Sequence, residues 1–206
     1  MLEFFIAALV IGIAPGPDNL FVLAQSATYG ARLGFCIILG LCTGIALQIC
    51  LLVAGVSALI AASPTAFFVI QCLGAAYLLY LAYKSFGVKV GTVEIEGDAI
   101  ESNNVPSARK LYLRGVIMNM TNPKVILFIL SLIPPAVRLD RPIHPSLQMA
   151  IFGAEFIVAT MIVFGSIALL AGTVKKYLLT SPKANRNLNW FSGCVFVLLA
   201  IALFVI

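Results

Sequence analysis

Two short constellations in this chain join prolines to a charge. The first is Ile13-Ala14-Pro15-Gly16-Pro17-Asp18-Asn19, and the second is Met120-Thr121-Asn122-Pro123-Lys124. Each lies near the middle of an apolar stretch long enough to cross a bilayer. Proline interrupts helical hydrogen bonding, and lipid cannot satisfy the freed backbone groups. A charge at bilayer depth costs about 2.5–3.5 kcal/mol on insertion scales. Both breaks should therefore face a protein-lined or watery cavity, which is the setting of a transport site.

The types of side chain suggest what such a cavity would hold. Asp18 and Lys124 carry opposite charges, Asn19 and Asn122 add hydrogen-bonding capacity, and Gly16 lets backbone approach closely. An amino-acid zwitterion presents an ammonium and a carboxylate a few ångströms apart. Lys124 and the N-terminal end of a half-helix would attract its carboxylate. Asp18 and the carbonyls freed by Pro15 and Pro17 would take its ammonium. A second reading is that Asp18 and Lys124 form a buried ion bridge; such a bridge could also open for cargo. Glu155 is a further intramembrane carboxylate and a candidate proton carrier, unless its helix begins near Gly153 and leaves it at the interface. Gln48 and Gln71 suit either a pore lining or hydrogen bonds between helices.

The elements that must position these groups follow from hydropathy. The chain has 206 residues, 62% hydrophobic and 10% charged, against roughly half apolar and a quarter charged in a soluble domain. This predicts an all-α integral membrane protein. Apolar runs at 2–27, 33–62, 66–84, 111–137, 147–173 and 188–206 predict six transmembrane helices, the first and fourth broken at proline. Asp18 is then about 16 residues into the first, and Lys124 about 13 residues, or ~20 Å, into the fourth. The N-terminus lacks the basic flank of a signal peptide and is predicted to be a retained first helix.

Residues 85–110 form a polar connection of mixed charge and are predicted to be a mobile loop. Nine basic residues fall in one alternate set of loops: Arg32; Lys84, Lys89, Arg109 and Lys110; Lys175, Lys176, Lys183 and Arg186. Only Arg138 and Arg141 fall in the other set. The positive-inside rule places the richer set in the cytoplasm and both termini outside. The net charge of +5 thus reports topology, and no nucleic-acid-binding motif accompanies it.

Six helices divide into two sets of three, and an odd number per set inverts the second. The predicted organisation is a single transporter domain spanning 1–206, with repeat one at 1–84, the loop at 85–110 and repeat two at 111–206. Leu20-Phe21-Val22-Leu23 matches Leu127-Phe128-Ile129-Leu130, each just after a proline break. Gly74-Ala75-Ala76-Tyr77-Leu78-Leu79 resembles Gly193-Cys194-Val195-Phe196-Val197-Leu198. Gly40-x-x-x-Gly44, with Gly34 nearby, offers a small-residue face for packing within one protomer or between two. A homodimer is therefore a candidate assembly.

Other chemistry has less to stand on. Cys36, Cys42, Cys50, Cys72 and Cys194 all fall in apolar segments without a Cys-x-x-Cys pair. They suit small buried hydrophobes better than a soft-metal path. A membrane thiol–disulfide carrier would need reactive thiols at the breaks, and those segments contain none. His144 lies in a polar loop and is expected to be solvated. No metal site or cofactor is predicted, and the chain is expected to be a carrier rather than an enzyme. A metal-cation exporter and the thiol–disulfide electron carrier remain as alternatives.

The same residues, in this order, resemble the LysE/RhtB family of amino-acid exporters. Pro15-Gly16-Pro17-Asp18-Asn19, Gly30-x-Arg32-x-Gly34, Gly40 and Gly44, Ala62-Ser63-Pro64, Gly74-Ala75-Ala76-Tyr77-Leu78 and Asn122-Pro123-Lys124 carry the likeness, with Phe128 and Pro134. It covers residues 1–137 and, more loosely, the rest. The resemblance implies a bacterial inner-membrane carrier that expels amino acids or analogues, coupled to proton entry. It places Pro15, Gly16, Pro17, Asp18, Asn122, Pro123 and Lys124 at the site, with amino acid, protons and bilayer as partners. A potential of about 100 mV supplies about 2.3 kcal/mol per charge, so one proton would sustain roughly a 40-fold gradient of a neutral zwitterion.

Overall fold

The computed structural model describes residues 2–14, 16–62, 64–87, 105–138, 140–171 and 182–205. Pro15, residues 88–104 of the predicted loop, Lys89, Lys175, Lys176 and the side chains of Gln71 and Lys183 lie outside what is described. The described chain is all helix: α1 (Leu2–Ile13), α2 (Pro17–Tyr29), α3 (Ala31–Ala62), α4 (Pro64–Phe86), α5 (Ala108–Thr121), α6 (Pro123–Ala136), α7 (Pro145–Leu169) and α8 (Pro182–Val205).

Proline sets most of the helix starts. Five of these eight helices begin with it, at Pro17, Pro64, Pro123, Pro145 and Pro182. Its missing N–H is unpaired in any first turn, and its fixed φ suits the helix. The apolar runs placed the third, fifth and sixth segments later, at 66, 147 and 188. Hydropathy overlooks a polar first turn such as Lys183, Asn185, Arg186 and Asn187 in α8. His144 is exposed and caps α7, its Nδ1 accepting from the Ser146 amide at 3.3 Å. Ser107 caps α5 in the same way, accepting from the Lys110 amide at 3.3 Å.

Both predicted breaks are present. α1 and α2 meet at a bend of 62°, and α5 and α6 at 56°. By length and apolarity, two described helices can cross a membrane, and four spans result if each bent pair counts as one. Many large apolar side chains point outward, including Leu39, Leu51, Ile117, Ile162, Leu198 and Ile201. Water would penalise that surface, and lipid accepts it. The chain is a multi-pass membrane protein.

α3 packs against α5 and α7, α4 against α8 and α6, and α1 against α7. The α3–α5 contact explains two glycines. A Cβ on Gly40 would collide with the Tyr112 carbonyl oxygen, and one on Gly44 would lie 2.7 Å from Asn119. This part of the small-residue face is thus used within the protomer. The main apolar core runs between the halves, with Ala8, Ile45, Leu78, Phe128, Ile129, Ile133 and Ala159 almost fully enclosed.

Candidate substrate site

The two breaks converge. Helix ends leave carbonyls and amides without intrahelical partners. At the end of α1 these carbonyls find side chains. Lys124 Nζ donates to the carbonyl oxygens of Ile11 at 3.2 Å and Ala14 at 2.9 Å. Asn19 Nδ2 donates to the Gly12 carbonyl at 2.6 Å. An ammonium at a helix C-terminus also opposes the negative end of the dipole.

The second break is capped by its own residue. Asn122 Oδ1 accepts from the Lys124 amide at 3.0 Å, and the Asn122 amide donates to the Asn119 carbonyl at 3.1 Å. Its carboxamide nitrogen remains free to cross to the other half. It donates to Asp18 Oδ2 at 2.7 Å. Asp18 stands in the first turn of α2, where the dipole favours an anion.

Asp18, Asn19, Asn122 and Lys124 are all buried. Among the described residues no Asp18–Lys124 ion pair forms within 4.0 Å. The buried-bridge arrangement is therefore not the one adopted. Among the carbonyls expected to await a cargo ammonium, that of Ile11 is held by Lys124, as is the neighbouring Ala14 carbonyl, while Asn19 holds that of Gly12. The physical reason is reach: the long Lys124 side chain extends from the first turn of α6 to the carbonyls that end α1. Asp18 Oδ1 and Asn19 Oδ1 are buried without a partner. A polar atom in that condition costs roughly 1–3 kcal/mol, so it calls for a ligand, water or proton.

Asp18 and Lys124 line one small cavity of about 20 Å³, with Asn119 and Thr160 as further polar lining. Leu41, Ile45, Val125, Phe156 and Phe164 form its apolar wall. The volume suits about one water molecule, not an amino acid. The site is thus too small for an amino acid, and cargo requires the helices to part.

Gly16 belongs to the same cluster. A Cβ there would sit 3.0 Å from Lys124 Nζ. Pro17 and Pro123 are exposed and serve as helix starts rather than cavity lining. Glu155 lines neither this cavity nor the larger pocket described below. It is half-buried ten residues after Pro145, about 15 Å along α7, with Oε2 unpartnered. The helix that carries Glu155 thus starts at Pro145 rather than near Gly153.

Asn119 and Thr160 were not singled out from sequence. Asn119 is 2% exposed and accepts from Gln48 Nε2 through its backbone oxygen at 2.9 Å and its Oδ1 at 3.0 Å. Gln48 is accordingly an interhelical clamp between α3 and α5. The available signal was an asparagine in an apolar run, one turn before Asn122.

The family model described as "LysE type translocator" matches residues 9–205. Proteins named "Leucine efflux protein" from Salmonella typhimurium, Salmonella typhi and Salmonella choleraesuis are each 30% identical over 194 residues, covering 94% of this chain and 89% of the relative. No solved structure matches the chain. The family match spans nearly all of it, including both proline breaks, and the chain belongs to the LysE-type translocator family.

Proposed function

We propose that this protein exports amino acids with apolar side chains, leucine among them, from the bacterial cytoplasm across the inner membrane by proton antiport. The observation that carries this reading is one small cavity bearing an unpartnered Asp18 oxygen and the Lys124 ammonium. The apolar wall from Leu41 to Phe164 suits an aliphatic side chain. The leucine efflux relatives point the same way.

The hydrogen bonds suggest an exchange. Lys124 sits on the α1 carbonyls, where a cargo ammonium would also be stabilised. An arriving carboxylate draws Lys124 away, and the cargo ammonium takes the carbonyls and Asp18 Oδ1. A proton on Asp18 competes with that ammonium, so one group couples the two fluxes. Glu155 is a second candidate for proton transfer. No cysteine lines the cavity among the described residues, which gives the metal and dithiol alternatives no support. No enzymatic step is required.

The same reading includes two inverted three-helix repeats, 1–84 and 111–206, joined by the cytoplasmic connection 85–110, with both termini periplasmic. Helix pairing supports it. α3–α7 and α4–α8 each join counterparts, and α1 packs on α7 as α5 packs on α3. The loop basic residues support the orientation.

Efflux from an overexpressing strain loaded with a panel of dipeptides tests the function. Release of leucine and similar residues above the empty-vector rate is expected. Release equal to the vector across the panel would refute the assignment.

A further inference from the structure

A second, larger pocket lies at the end of the bundle that carries the start of α1 and the α6–α7 connection. Its volume is about 480 Å³, within the roughly 300–1,000 Å³ of small-molecule sites. Glu3, Arg138 and Arg141 supply both signs of charge, and Ala7, Leu132 and Ile151 supply apolar wall. Its edge is fixed by Gln148, whose Nε2 donates to the carbonyls of Arg138 and Ile143, both at 2.8 Å, while its Oε1 accepts from the Arg138 amide at 3.0 Å.

The pocket and the charged cavity are consecutive along the same three helices. On α1, Ala7 lines the pocket and Ile11, one turn on, lines the cavity. On α7, Phe152 lines the pocket and Phe156 the cavity. On α6, Leu132 and Val125 do the same, two turns apart. Between them stands a chain of aromatic rings. Phe152 meets Phe4 at 5.0 Å, Phe4 meets Phe128 at 5.8 Å, and Phe128 meets Phe156 at 5.0 Å between centroids. Phe128 is completely buried. Such ring contacts are individually weak enough to part on binding.

We propose that the large pocket is the release chamber for the exported amino acid, and that Phe4, Phe128, Phe152 and Phe156 form the gate separating it from the charged cavity. The chamber takes the cargo as a zwitterion, with its charges toward Glu3 and the arginines and its aliphatic chain on the apolar wall. This rests on the export reading for the cargo and on the proposed orientation for the outer face.

Accessibility measurements test it without depending on the cargo. In full-length protein with the five native cysteines replaced, Ile151→Cys marks the chamber and Thr160→Cys marks the cavity. A membrane-impermeant, charged thiol reagent is added outside intact cells. Ile151→Cys should react readily. A gate open about 0.1–10% of the time should slow Thr160→Cys by about tenfold or more. Phe128→Ala should bring Thr160→Cys close to the rate of Ile151→Cys. Phe4→Ala, at the chamber edge, provides a second opening if Phe128→Ala fails to reach the membrane. An unreactive Ile151→Cys would mean an acyl chain fills the pocket or that it faces the cytoplasm, and would overturn the proposal. So would equal rates with the gate intact, or gate variants that leave Thr160→Cys unreactive. Amino-acid release in the dipeptide assay fails or succeeds independently of these rates.

Discussion

The two broken spans bend by similar angles, 62° and 56°, yet handle their loose ends in opposite ways. The second break caps itself locally. Asn122 caps α6 through Oδ1, and its amide closes onto Asn119. The first break borrows. Its carbonyls at Ile11 and Ala14 depend on Lys124, 110 or more residues away, and its Asp18 depends on Asn122. The lesson is that one break provides a frame and the other a set of exchangeable contacts. A site that must release cargo needs contacts of the second kind.

The largest effect should come from removing the lender. Lys124→Ala takes the cation from the cavity and leaves two buried carbonyls unpaired, at roughly 1–3 kcal/mol each. Efflux should vanish, and melting of the purified protein in detergent should fall by several degrees. Asp18→Asn should abolish efflux almost as fully while leaving melting nearly unchanged. Asn still accepts from Asn122, and the isostere keeps the volume. Equal destabilisation by the two variants would erase the distinction between the breaks.

Asn122→Ala should come next. It removes a cap worth about 0.5–2 kcal/mol and the carboxamide that donates to Asp18. Lower melting with a partial, about tenfold, loss of efflux rate is expected, the loss equivalent to about 1.4 kcal/mol. Gly16→Ala sharpens the comparison at its contact point. Its Cβ at 3.0 Å from Nζ obliges Lys124 to shift by a few tenths of an ångström. A several-fold rise in the cargo concentration for half-maximal transport is expected, with little change in melting. Glu155→Gln should have the smallest effect on leucine exchange without a proton gradient, since it lines neither cavity.

Much of this arrangement was legible in the sequence. Hydropathy located the apolar segments because the bilayer imposes a length and a composition on them. The breaks were legible because proline and charge are both costly at that depth. Helix starts were legible only to within several residues, as at Pro182 against 188, because caps and prolines govern them while hydropathy ignores them. The partners within the site were not legible. Whether Lys124 meets Asp18 or the α1 carbonyls depends on two bend angles and on how α1 seats against α6. Asn119 shows the same limit. One asparagine in an apolar run is visible, but its cavity-facing position requires the α3–α5 packing that Gly44 permits.

The central claim is that opposite charges from the two breaks recognise a zwitterion. Competition against radiolabelled leucine counterflow in proteoliposomes tests it directly. Leucine should compete, while N-acetylleucine, lacking the ammonium, and leucinamide, lacking the carboxylate, should each compete at least about tenfold more weakly, a difference of about 1.4 kcal/mol. Equal competition by either derivative would show that its missing charge is not read, and would contradict the account.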